Sequence, residues 1–121
     1  SIHLALCAAT RGLIDARRIA RMRRGAVLVN TARGGIVDEH ALAAALRDER
    51  LAAAGIDVYE TEPLPGDSPL LSLPNAVLTP HIGSATAPTR ARMADMAVDN
   101  LLAALGGRRM PHCANPEVYG G

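Results

Sequence analysis

The stretch "LVNTARGGIVDE" (Leu28–Glu39) decides the reading of this chain. It begins inside "AVLVN" (Ala26–Asn30), which is apolar and β-branched without alternation. That pattern suits a parallel strand covered on both faces. The acidic pair Asp38–Glu39 opens an amphipathic run. A helix is expected from Val37 or Asp38 to about Asp48, with Leu42, Ala45 and Leu46 on its inner face. Between strand and helix stand Arg33 and two glycines, Gly34 and Gly35. Glycine permits positive φ and close backbone approach, so a charged side chain is set on a sharp bend at a strand end.

The same alternation extends outward. Ile2–Leu6 reads as a short buried strand. Asp15 caps a helix Asp15–Arg23, with Ile19 and Met22 inward and Gly25 as its stop. Gly55–Tyr59 reads as a third central strand. A proline-rich loop follows, with Pro63, Pro65, Pro69 and Pro74. Ala76–Thr79 reads as a fourth strand. A long helix Thr86–Leu105 is capped by Thr86, with Pro88 in its first turn. Met93, Met96, Ala97, Leu101, Leu102 and Leu105 supply its apolar residues, and Gly106–Gly107 end it. The tail after it has no period. Strand–helix alternation of this kind predicts an α/β fold with a parallel sheet.

Composition narrows the function. The 121 residues are 49% hydrophobic, and no apolar run approaches the ~20 residues of a membrane span. No secretory signal pattern opens the chain. The net charge of +1 gives no long-range pull toward nucleic acid or acidic membrane. The Arg-rich run Arg17–Arg24 reads as a solvated helix face. With only Tyr59 and Tyr119 as aromatics, there is no stacking platform for single strands. Cys7 and Cys113 stand far apart, without metal-ligand spacing. No disulfide and no metal site are predicted, and a reducing, cytoplasmic setting is expected.

Open parallel sheets bind ligands at the carboxyl ends of their strands. Arg33 follows the second strand there, Asp57, Glu60 and Glu62 follow the third, and His81 follows the fourth. An arginine can grip a carboxylate with two prongs, which lysine cannot. A histidine in a loop is by itself an ordinary polar residue. A glutamate beside it fixes its tautomer and favours its protonated form. "ETEP" offers two such glutamates, Glu60 and Glu62. His3, His40 and His112 lack comparable surroundings. No GxSxG, HExxH or paired-Cys motif supports a hydrolase or metalloenzyme.

Three motifs, "VNTARGGIVDEHALAAAL", "AAAGIDVYETEPLP" and "NAVLTPHIGSAT", resemble the D-isomer-specific 2-hydroxyacid dehydrogenases, in order and over nearly the whole chain. Twenty-nine residues separate Arg33 from Glu62 and nineteen separate Glu62 from His81, similar to that family's spacing. The run from "PHIGSAT" onward is most similar to its glyoxylate/hydroxypyruvate reductase branch. The resemblance implies a Rossmann-type dinucleotide-binding domain and NAD or NADP as cofactor. It gives Arg33, Glu62 and His81 as catalytic residues. Arg33 would hold the 2-oxoacid carboxylate, His81 would donate the proton, and Glu62 would pair with His81. Ala5, Thr31, Ala32, Asp57 and Gly83 would line the cofactor, and Ser84 would touch substrate together with Arg33 and His81. Where the family often reads "PLT", this chain has Ala5-Leu6-Cys7.

No GxGxxG occurs in the sequence. The chain therefore reads as the C-terminal half of the cofactor domain (residues 1–84) plus a helix and tail (residues 85–121) returning to a substrate domain. The glycine-rich loop is expected upstream of Ser1. The expected partner is a small 2-oxoacid, with a homodimer in the full-length protein. The alternative is a non-catalytic, NAD(H)-sensing scaffold of the same fold.

Overall fold

The computed structural model describes residues 1–120. They divide into two compact units, the boundary falling between Gly83 and Ser84.

The first unit is built on a three-stranded parallel sheet in the order β1 (Ala26–Asn30), β2 (Leu51–Ile56), β3 (Ala76–Leu78). Two helices precede and join these strands: α1 (Ala16–Arg21) and α2 (Glu39–Arg47). Asp15 caps α1 by accepting the Arg18 N–H at 2.8 Å. Asp38 caps α2 by accepting the Ala41 N–H at 2.9 Å. These carboxylates satisfy donors that a helix start leaves unpaired. At the other end of α1, the Arg50 guanidinium donates to the carbonyls of Ala20, at 2.6 Å, and Met22.

The apolar period of α2 decides where the core lies. Leu42, Ala43, Ala45 and Leu46 are buried, and they join Ile19 of α1 with Leu28, Ala54 and Ile56 of the sheet in one cluster. Leu28 pairs with Ala54, and Asn30 with Ile56, so these residues share one sheet face. The opposite face is open: Val27 and Val77 are 60% and 67% exposed. The expectation of a β1 strand covered on both faces is therefore corrected within this unit.

Two strand expectations also change. The segment from Ile2 makes a single parallel bridge to Asn30 and no ladder, and Leu4 is exposed. The third predicted strand, Gly55–Tyr59, begins earlier, at Leu51, and ends at Ile56. The small residues Ala52–Ala54 concealed its start. Val58 and Tyr59 are buried, but they belong to the loop after the strand. The 3-10 turn Pro69–Ser72 interrupts the proline-rich loop and buries Leu70.

The second unit is α3 (Ala87–Leu105) and a tail. Thr86 caps the helix, and Pro88 lies in its first turn. The tail turns back: Asn100 accepts the His112 N–H at 2.9 Å and donates to its carbonyl at 3.2 Å. The tail also carries a 3-10 turn, Pro116–Tyr119, that its composition does not announce. Ala103 is buried, whereas Met93, Leu101, Leu102 and Leu105 are exposed. Cys7 and Cys113 are free thiols. Among the described residues, no helix is long and apolar enough to cross a membrane.

Candidate active site

The carboxyl end of the sheet collects the ionisable residues. Arg33 stands in the turn after β1, Asp57 directly after β2, Glu62 in the loop beyond it, and His81 in the loop after β3.

Asn30, the last residue of β1, is buried and organises the first turn. Its side-chain oxygen accepts the Ala32 N–H at 3.1 Å, and its amide donates to the Arg33 carbonyl at 3.0 Å. The Arg33 side chain is exposed on this turn and places one N–H on the Ala32 carbonyl at 2.6 Å. Gly34 follows because nothing larger fits. A Cβ there would lie 1.9 Å from the Tyr59 carbonyl carbon and 2.4 Å from the Glu60 nitrogen. The glycine thus serves a close approach between two loops.

That approach brings the Tyr59–Glu62 loop over the Arg33 turn. Glu62 accepts the Tyr59 N–H through Oε1 at 3.1 Å and meets His81 Nδ1 through Oε2 at 2.8 Å. The His81 hydrogen bond, then that from Tyr59, with the Arg33 charge added, hold the Glu62 carboxyl below the usual carboxylate range. An ionised Glu62 accepts Nδ1–H and leaves Nε2 as the free ring nitrogen of His81. Of the two glutamates in "ETEP", Glu62 is the one that meets His81.

His81 has φ +56°, in the left-handed region that few residues besides glycine adopt, asparagine, aspartate and histidine most often among them. Asp57 secures the loop that holds it there. The carboxylate is buried and accepts Thr79 Oγ1–H, the Ile82 N–H at 2.8 Å and the Gly83 N–H at 2.8 Å. Burial pushes the Asp57 carboxyl up. The bonds from Thr79, Ile82 and Gly83, with His81 nearby, outweigh it and leave the group below the usual range. Expected against the cofactor, Asp57 spends these bonds on the His81 loop. Thr79 and Asn30 are contributors that sequence reasoning missed. A polar residue closing an apolar strand, Asn30 as the last residue of β1 and Thr79 just after β3, was the available signal.

A stability prediction follows from Asp57. Asp57→Ala strands three donors and is expected to cost about 3 kcal/mol in urea unfolding. The native carboxyl binds its proton less readily than the unfolded one, whose reference value is 3.8. Its stabilisation is therefore complete above that pH and is lost as pH falls through the lower native value. The acid-side slope of stability should flatten in the variant. An unchanged slope would separate Asp57 from acid stability.

An open cleft of about 760 Å³ is lined by Leu4, Ala5, Leu6, Thr31, Ala32 and Arg33. It unites three residues expected at the cofactor with the expected substrate anchor. A second cavity of about 480 Å³ lies against Tyr59, Glu62, Leu64, Thr79 and His81. Gly83 sits on Asp57, while Ser84 opens the second unit and is exposed. A cavity of about 770 Å³ opens at the amino ends of the strands, by Arg24, Leu51 and Asn75. Ligand chemistry in an open parallel sheet belongs to the carboxyl end, where the acid–base groups stand.

Residues 1–83 match the family profile described as D-isomer specific 2-hydroxyacid dehydrogenase, NAD binding domain. The chain is 54% identical over 117 residues to glyoxylate/hydroxypyruvate reductase B of Enterobacter agglomerans, covering 97% of this chain and 36% of that protein. Among solved structures it is similar to the TT0316 protein of Thermus thermophilus, with TM-score 0.86 and 55% identity over 90% of this chain and 35% of that one. It is also similar to an NADPH-dependent glyoxylate/hydroxypyruvate reductase of Sinorhizobium meliloti solved with NADP and malonate. There the TM-score is 0.75 and the identity 43%, over 80% of this chain and 30% of that one. The chain thus spans about a third of the length of the relatives it matches.

Proposed function

Because the chain belongs to the D-isomer specific 2-hydroxyacid dehydrogenase family through its NAD-binding domain, we propose that it carries the catalytic rim of an oxidoreductase. The reaction is reduction of a small 2-oxoacid, glyoxylate or hydroxypyruvate, to the D-2-hydroxyacid with NADH or NADPH. The observation that carries this reading is the 2.8 Å contact of Glu62 with His81 at the strand end that also presents Arg33.

The cleft fits the nicotinamide end of such a cofactor. Its wall includes the exposed Ala5 and Thr31 and the half-buried Ala32, which offer backbone groups without large side chains. When bound, the nicotinamide supplies the electron pair and hydrogen that the carbonyl carbon accepts. The chain's own residues supply the rest. Arg33 holds the substrate carboxylate with its forked guanidinium and stabilises charge on the carbonyl oxygen. His81 gives that oxygen a proton from Nε2 and takes it back in the oxidation direction. Glu62 holds Nδ1–H and so fixes the ring with Nε2 free to face the substrate oxygen. Ser84 adds a substrate contact. Gly83 and Asp57 line the nicotinamide side, with Asp57 also fixing the His81 loop.

The family match ending at residue 83, and the division into units at Gly83 and Ser84, support a cofactor-domain piece followed by a helix and tail of the substrate domain. The family resemblance extends the proposal to a cytoplasmic homodimer.

The test is a chimera in which the 117 matched residues replace their counterpart in a glyoxylate/hydroxypyruvate reductase relative. Arg33→Lys in this chimera is expected to raise KM for the 2-oxoacid and lower kcat, each about tenfold or more, since a point charge replaces a two-pronged clamp. Unchanged kinetics would remove the anchor role. A chimera that binds NADPH yet turns over no 2-oxoacid would favour the non-catalytic scaffold.

A further inference from the structure

We propose that Glu39 is a positioning residue for the Glu62–His81 pair. It acts by clamping the Tyr59–Glu60 peptide against Gly34, and the inference rests on the dehydrogenase reading above. Glu39 is the first residue of α2, at the helix end where negative charge is favoured. Its Oε1 does not serve that helix end. It reaches twenty-one residues along the chain and accepts the Glu60 N–H at 2.7 Å.

The peptide it holds is the critical one. The carbonyl of this peptide unit belongs to Tyr59 and lies so close to Gly34 that a Cβ would stand 2.0 Å from its oxygen. The N–H of the same unit belongs to Glu60 and is the one Glu39 takes. One peptide plane is therefore pressed between the Arg33 turn and the Glu39 carboxylate. The next N–H back along the chain, that of Tyr59, orients Glu62 Oε1. Glu62 in turn sets the His81 ring. The Tyr59 hydroxyl closes the unit from behind, lying 3.0 Å from the Ile56 carbonyl and 2.9 Å from that of Thr79. Arg33 and the Glu62–His81 pair thus keep a fixed relation through Gly34, the 59–60 peptide and Glu39.

Holding Glu39 here is unfavourable for its charge. Burial pushes its carboxyl above the usual range and the Glu60 carboxylate adds to this, against the Glu60 N–H bond and the nearby His40. A residue needed only to begin α2 would face water, since Asp38 already caps that helix.

The experiment uses Glu39→Ala and Glu39→Gln in the chimera, with Glu62→Gln as reference. Glu62→Gln puts a neutral amide in place of the carboxylate at Nδ1 and should lower kcat ten- to a hundredfold, with KM for the 2-oxoacid within about twofold. Glu39→Ala should lower kcat in the same way and over the same range, with KM again within about twofold. Glu39→Gln keeps an acceptor oxygen and should restore kcat. In the 121-residue chain, Glu39→Ala should speed exchange of the Glu60 amide while the α2 amide of Leu42 stays protected.

An unchanged kcat in Glu39→Ala beside a lowered one in Glu62→Gln overturns the Glu39 role alone. So does equal loss in Glu39→Ala and Glu39→Gln, or exchange that spreads through α2. An unchanged kcat in Glu62→Gln overturns the dyad reading, and the Glu39 role falls with it.

Discussion

Replacing Gly34 with alanine is expected to abolish the native arrangement of the site and to unfold a large fraction of the chain. The added carbon would stand 1.9 Å from the Tyr59 carbonyl carbon, far inside van der Waals contact, and its three nearest atoms are all backbone. No rotamer can relieve it. Overpacking in a core commonly costs about 1–3 kcal/mol, and a rigid backbone clash belongs above that, at about 4 kcal/mol or more. Domains of this size hold only about 5–15 kcal/mol in all. Two other glycines give the controls. At Gly35 a Cβ would meet the end of the flexible Arg11 side chain at 3.1 Å, and at Gly66 it would meet nothing within 4 Å. Urea unfolding of the three alanine variants checks this. A Gly34→Ala protein as stable as Gly66→Ala would mean the Arg33 turn and the Tyr59–Glu60 loop are not pressed together.

His81→Asn should lower kcat of the chimera by about 10²–10⁴, the range of a lost general acid. Asparagine is the informative substitution because His81 sits at φ +56°, a conformation asparagine tolerates better than alanine. The loop bonds to Asp57 come from Thr79, Ile82 and Gly83, so they survive the change. Cofactor affinity should stay within about twofold, since the cleft is lined by other residues. A variant with native kcat would remove His81 from the reaction.

Much of this was legible in the residues. The Asp15 and Asp38 caps and the apolar period of α2 placed both helices of the first unit to within a residue or two. The spacing of Arg33, Glu62 and His81 along successive strand ends foretold a shared rim, and Glu62 does meet His81. Less legible was what holds the rim together. Gly34 read as a bend made by positive φ or close backbone approach; its φ is not positive, and the backbone it admits, the Tyr59 carbonyl, was not visible in the sequence. Asp57 read as a cofactor contact, while its bonds close the His81 loop. Glu39 read as helix-start charge, while it bonds Glu60. Each of these depends on a partner more than twenty residues away, and local propensity carries no information about such partners. The start of β2 was hidden for another reason: Ala52, Ala53 and Ala54 favour helix over strand, and pairing with β1 and β3 overrides them.

The acid–base chemistry proposed for this rim is put to its sharpest test by steady-state oxidation of NADH and of NADPH by the chimera, with glyoxylate or hydroxypyruvate as substrate. Turnover within about tenfold of the host reductase is expected with one of the two cofactors, reduced to near background by His81→Asn. A folded chimera that binds the cofactor and reduces neither acid, or one whose turnover survives His81→Asn, would contradict it.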